Sequence, residues 1–66
     1  MSIAKVVEIT SESPESFEDA VRRGITKAGE TLHGIQGAWV QEQMVRVSEG
    51  NISGYRVNLK VTFVLD

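Results

Sequence analysis

The residue with the most chemistry to offer in this 66-residue chain is its single tryptophan, Trp39. In a strand of period two, Trp39 shares a side with Gly37, Gln41, Gln43 and Val45. An indole ring can stack on a planar ligand, and nearby amides or cations can then bind the polar edge of that ligand. Tryptophan is also enriched in protein interfaces. The segment therefore predicts a stacking site, a subunit contact, or a ligand held between subunits.

The last segment supplies the polar side chains that such a site needs. Residues 55–65 alternate between apolar and mostly polar types, which predicts a strand with one apolar and one polar face. The polar positions are Arg56, Asn58, Lys60 and Thr62. We expect them to share an open sheet face with Trp39, where Arg56 or Gln41 contacts the polar edge of a ligand.

A strand and a helix precede these segments. Residues 3–10 are rich in β-branched types and predict the first strand. Ser13 is expected to cap the helix and Pro14 to occupy its first position, where a missing N–H costs nothing. The amphipathic pattern predicts that the helix runs to about Leu32. His33 is then expected at the negative end of the helix dipole and not in a catalytic role.

The topology follows from the direction of each element. The second strand is expected over 38–47, and a turn or bulged loop over 48–54. When the third strand lies between the other two, all neighbours are antiparallel, as short connections favour. The sequence therefore predicts a single α+β domain over 1–66, a β-α-β-β unit with strand order 1-3-2 and one helix on one face.

The small size of the chain predicts self-association. A domain of this length buries only about 60% of the surface that its unfolded chain exposes. The sequence contains no cysteine, so disulfides and thiolate metal sites are excluded. It contains one histidine, so a metal site built from several histidines is not expected. Assembly from identical copies is the remaining way to bury more apolar surface.

Charge and hydropathy exclude several classes of partner. The net charge is −2, from seven basic and nine acidic residues, so a nucleic-acid surface is not expected. No apolar run reaches the length of a membrane span, and the N-terminal residues lack the apolar core of a signal peptide. A cytoplasmic protein that contacts neither membranes nor nucleic acid is expected.

No catalytic constellation is visible, so we do not expect an enzyme. Three serines precede or open the helix, and no His–acid pair near them could activate a nucleophile; they are Ser11, Ser13 and Ser16. Acidic residues also cluster there, and they are interpreted as partners of the helix dipole in preference to a cation site. These are Glu12, Glu15, Glu18 and Asp19.

The chain resembles the dodecin family along almost its whole length. The matching segments are 5–9, 13–17, 28–32 and 55–63, which read KVVEI, SPESF, AGETL and YRVNLKVTF. The resemblance implies a hollow homododecamer. In flavin-binding members, flavins stack in pairs against a tryptophan of the second strand, and a glutamine of the third strand holds their polar edge.

Two positions depart from that pattern. Counted back from Tyr55, the family's tryptophan position falls on Gly37, and Trp39 lies two residues later, about 6 to 7 Å along the same face. The glutamine position falls on Arg56. The resemblance thus implies a site for riboflavin or FMN at Trp39, Arg56, Gln41 and Gly37. Segment 35–47 also looks closer to family members that lack the tryptophan, one of which binds calcium. This resemblance implies an alternative function, a shell that carries cations or acts as a structural or interaction particle.

Overall fold

A computed structural model describes residues 3–65, which form one helix and three strands. In chain order they are β1 (Ala4–Ser13), α1 (Phe17–Ala28), β2 (Ile35–Ser48) and β3 (Asn51–Val64). β3 pairs antiparallel with both β1 and β2, so the strand order is β1-β3-β2. The predicted α+β, β-α-β-β architecture is therefore confirmed.

The core lies where α1 crosses β1 and β3. Every second residue of β3 faces the helix, and Val57, Leu59 and Val61 are fully buried there. Ala20 of α1 completes the buried cluster, and its small side chain lets the helix approach the sheet closely. Partly buried residues surround this cluster; they are Val7, Ile9, Phe17, Val21, Ile25 and Ile35. The alternation in 55–65 thus has the predicted consequence that one face of β3 supplies the core.

The helix begins later than predicted. β1 continues to Ser13, which pairs with Tyr55, so Ser13 is a strand residue and not the cap. Its buried hydroxyl accepts from the Glu15 N–H and donates to Asp19 Oδ2. The cap is Ser16, whose hydroxyl oxygen accepts from the Asp19 N–H at 3.0 Å. Ser13 remains in β1 and does not cap the helix, because β3 provides a pairing partner for every residue of β1.

The helix also ends earlier than predicted, at Ala28 instead of Leu32. Gly29 caps it, and the next residues form turns in which Leu32 N donates to Ala28 O. His33 therefore lies beyond the helix end and not in its last turn. The chain must reverse there, and Gly34 does so at φ +74° while its carbonyl accepts from Val64 N. Within residues 3–65 no helix is long and apolar enough to cross a membrane.

The predicted loop over 48–54 is a two-residue turn. Glu49 and Gly50 both have positive φ, 52° and 80°, which matches the right-handed twist of a hairpin. β2 and β3 consequently pair up to Ser48 and Asn51. The resulting hairpin projects beyond the helix and contributes to a molecule 51 Å long and 19 Å wide.

We expect Gly24→Ala to destabilise the fold although alanine is the better helix former. A β-carbon at Gly24 would lie 3.0 Å from Ser11 Cβ and 3.2 Å from Leu59 Cδ1. Neither atom can retreat easily, so overpacking should lower the free energy of unfolding by about 1–3 kcal/mol. Urea denaturation followed by circular dichroism measures the change.

Gly29→Ala is the matched control for this substitution. Gly29 has φ −65°, and a β-carbon there would meet only backbone oxygens at 3.4 Å and beyond. This variant should be neutral or slightly stabilised because alanine loses less backbone entropy on folding. Equal effects of the two substitutions would contradict the close approach of helix and sheet at Gly24.

Candidate functional site

The face of the sheet turned away from α1, here called the open face, carries side chains from all three strands in rows. Cross-strand partners point to the same face, so the strand register defines each row. Glu8, Lys60 and Trp39 form the central row. On one side of it, Thr62 lies opposite Gly37, and on the other side Asn58 lies opposite Glu42.

Trp39 lies on the open face, as predicted, and 63% of its surface is exposed. Gly37 is on the same face one row away, and a β-carbon placed on it would meet no heavy atom within 4 Å. An open cavity of about 340 Å³ lies here, lined by Gln36, Gly37, Ala38, Trp39 and Thr62. The structure therefore brings together two of the four predicted site residues, with space beside the indole.

A β-bulge at Gln41 changes the faces of the rest of β2. Val40 pairs with Leu59 and Glu42 with Asn58, so Gln41 has no partner in the register. The extra residue inverts the alternation. Gln43 and Val45 therefore lie on the helix side, opposite Val57 and Tyr55. The prediction that they share the face of Trp39 is wrong.

Met44 moves in the opposite direction. Strict alternation along β2 would place Met44 beneath the helix with Ala38 and Val40, but it lies on the open face opposite Arg56. From Gln36 to Ser48 every residue of β2 is exposed, because the helix packs against β1 and β3.

Arg56 lies on the open face in an ion-paired cluster with Glu12 and Arg46. Its Nε and Nη2 atoms are 3.2 and 2.7 Å from Glu12 Oε2. Arg46 Nε is 2.8 Å from Glu12 Oε1. The hydrogen bonds from Arg56 and then from Arg46 lower the pKa of the Glu12 carboxyl. One carboxylate thus connects β1 with β3 and β2 and orients both guanidinium groups.

The structure separates Arg56 from Trp39. Arg56 is four residues from Lys60, the cross-strand partner of Trp39, which corresponds to about 13 Å along β3. Arg56 instead borders a second open cavity of about 210 Å³, lined by Thr10, Glu42, Gln43, Met44, Arg56 and Asn58. A ligand that contacts Trp39 and Arg56 together must extend across the row that contains Asn58.

The acidic residues near the helix start have structural contacts. Asp19 accepts from the Ser13 hydroxyl at 2.5 Å and from Arg23 Nε at 2.6 Å. The Ser13 hydrogen bond and then the Arg23 contact lower the pKa of Asp19. Glu18 pairs with Arg22, one turn along the helix. These contacts fasten the helix start to the end of β1.

Sequence reasoning missed Glu12 and Glu8 as residues of the open face. A first strand that ends at residue 10 leaves Glu12 among the acidic residues of the helix start. Glu8 Oε2 accepts from Asn58 Nδ2 at 2.6 Å. The alternation of Val6, Glu8, Thr10 and Glu12 on one side of β1 was the available signal.

We expect the stability of the protein to depend on pH through Glu12. Because folding lowers its pKa, Glu12 stabilises the folded state fully above its ordinary pKa of 4.5, and this contribution is lost as the pH falls through the folded value. In Glu12→Gln the thermal midpoint should therefore change less between neutral and acid pH than in the wild type.

Thermal unfolding of both proteins from neutral pH to about pH 3 tests this expectation. The two midpoints should differ most near neutral pH and converge in acid, and added salt should reduce the difference. Asp19, whose pKa is also lowered, should leave a residual acid sensitivity in the variant. Parallel pH profiles would contradict the assigned role of Glu12.

Comparisons with known proteins agree with this architecture. The family model described as Dodecin matches residues 3–66. A calcium dodecin from Mycobacterium tuberculosis is 35% identical over 63 residues, which cover 96% of this chain and 89% of the relative. Sequence similarity therefore extends over nearly the whole of both proteins.

Solved structures show the same relationship. A dodecin from Streptomyces davaonensis superposes with a TM-score of 0.93 at 35% identity, covering 98% of this chain and 96% of that one. The crystal structure of the Mycobacterium tuberculosis calcium dodecin, which has a calcium-binding site, superposes with a TM-score of 0.85 at 32% identity, covering 98% and 93%. The resemblance seen in the sequence is confirmed, and this chain belongs to the dodecin family.

Proposed function

We propose that this dodecin binds and stores or sequesters a flavin, riboflavin or FMN, on the open face around Trp39. The observation that carries the proposal is an exposed indole next to an unfilled position at Gly37. Covering a large exposed aromatic side chain with a flat apolar ring removes its surface from water and lowers the free energy. The proposed role is therefore the binding of a flat ligand.

Each predicted residue has a distinct role in this proposal. Trp39 stacks on the isoalloxazine ring, and Gly37 leaves room for the ring beside the indole. Gln41 is the unpaired bulge residue next to this site, so its amide can serve the polar edge of the ring. Arg56 contacts the far end of the ligand with N–H groups that Glu12 does not occupy.

We further propose that the site operates in a closed homododecamer. The single chain leaves many large apolar side chains exposed, concentrated on the hairpin that projects past the helix. They include Val40, Val45, Val47 and Ile52. Copies that cover this hairpin would bury the apolar surface that a chain of this size cannot bury by itself. Assembly would also desolvate the ligand and strengthen its contacts.

A riboflavin fluorescence titration against the size-checked oligomer tests the flavin site. Saturable quenching at a fixed ratio of flavin to subunit supports the proposal. No quenching at protein concentrations well above micromolar would mean that the changes at Gly37 and Arg56 have removed the site. Light scattering that finds only the 7.3 kDa protomer would contradict the assembly.

The second candidate function is a shell that binds cations such as calcium and no flavin. The similarity to a calcium dodecin favours it. Within residues 3–65 no group of three or more Asp, Glu, His or Cys side chains could hold a metal, so ligands from more than one copy would be required. Calorimetric titration with Ca²⁺, together with absence of riboflavin quenching, would select this function.

A further inference from the structure

We propose that Lys60 determines ligand specificity at the Trp39 site, favouring a flavin that carries a phosphate over the uncharged flavin. This inference rests on the flavin site proposed above. It begins from the position of Lys60, which lies on the central strand directly opposite Trp39. Side chains in such pairs have β-carbons about 4.5–5.5 Å apart, so the ammonium group reaches any ligand that covers the indole.

Among the cations of the open face, Lys60 differs in having no carboxylate partner within residues 3–65. Arg46 and Arg56 both bind Glu12. Glu8 is the acidic neighbour of Lys60 in the register, but its carboxylate accepts from Asn58 Nδ2. The ammonium of Lys60 is therefore available for an anionic group.

The surroundings of Lys60 define where that group binds. On one side, the next row contains Glu42, which repels an anion. On the other side, Thr62 and Gly37 are uncharged and line the 340 Å³ cavity beside Trp39. Lys60 precedes Thr62 by two residues on the same face. An anionic group is thus favoured on the cavity side of the central row, near the ammonium and away from Glu42.

The test compares riboflavin with FMN, which share one fluorescent ring and differ by a phosphate, so the ratio of their dissociation constants isolates the anionic contact. At low ionic strength we expect the wild-type oligomer to bind FMN roughly threefold to tenfold more tightly than riboflavin. This ratio corresponds to an interaction whose strength lies between that of an exposed ion pair and that of a charged hydrogen bond. Lys60→Gln should abolish this preference, so that the dissociation constants for FMN and riboflavin agree within about twofold. Lys60→Arg should keep it, because the charge is retained.

Lys5→Gln is the control for net charge, since Lys5 lies opposite Phe63 on the helix side of the sheet. This variant should keep the preference for FMN. Three results would overturn the role of Lys60 while leaving the flavin site intact. They are an equal affinity of the wild type for both flavins, a preference for FMN that survives Lys60→Gln, and a loss of this preference in Lys5→Gln equal to that in Lys60→Gln. Absence of binding by both flavins would overturn the site itself, and with it the role of Lys60.

Discussion

Replacing Leu59 by alanine is expected to lower the free energy of unfolding by about 2–5 kcal/mol. Leu59 is fully buried at the centre of β3, where it packs beneath Gly24 of the helix. Truncation removes apolar contacts and leaves a cavity that the short helix and the flanking strands cannot fill. A domain of this length has a net stability of only a few kcal/mol, so the variant should be largely unfolded as an isolated chain.

Leu65→Ala is the matched control because it makes the same chemical change at a residue that is 54% exposed. It should alter the free energy of unfolding by about 0.5 kcal/mol or less. Urea denaturation at one fixed protein concentration measures both variants, since the proposed assembly would make stability depend on concentration. Similar losses for the two leucines would contradict the core described for the single chain.

For the flavin site proposed above, replacing Trp39 by alanine is expected to weaken flavin binding about tenfold or more while leaving the stability of the protomer unchanged. The indole is mostly exposed on the open face and contributes little to the core. Loss of the ring removes the stacking surface but leaves Gly37 and the cavity in place. Riboflavin quenching measures the binding, and thermal unfolding measures the stability.

Trp39→Phe is the control that separates stacking from assembly. A phenyl ring keeps part of the stacking surface, so this variant should bind flavin with intermediate affinity. Both variants should keep the particle size of the wild type in light scattering. Dissociation of the Trp39→Ala oligomer would show instead that the indole is buried between subunits, as aromatic residues at interfaces often are.

Local pattern was sufficient to predict most of the architecture. The alternation in 55–65 identified β3 and its buried face, because a strand exposes successive side chains to opposite sides. The antiparallel order β1-β3-β2 followed from the sequence of elements, since short connections leave few topologies. The sheet faces on which Trp39, Gly37 and Arg56 lie were also predicted correctly, because each follows from the two-residue alternation of side chains along a regular stretch of strand.

Errors occurred where two local signals competed. Ser13 and Ser16 are both good caps by residue type, and pairing of Ser13 with Tyr55 decided between them. The helix pattern continues to Leu32, but the need to bring Ile35 next to Phe63 ended the helix at Ala28. Propensity alone does not include these long-range pairings.

The sequence by itself determined the fold class, the buried face of β3 and the exposure of Trp39, because these depend on periodicities within single elements. Only the tertiary structure decided the bulge at Gln41, which exchanges the faces of Gln43 and Met44. It also decided that Glu12 bonds Arg46 and Arg56, residues 34 and 44 positions away. Both features arise from the register between strands, which is set by the packing of the whole sheet and not by any one segment.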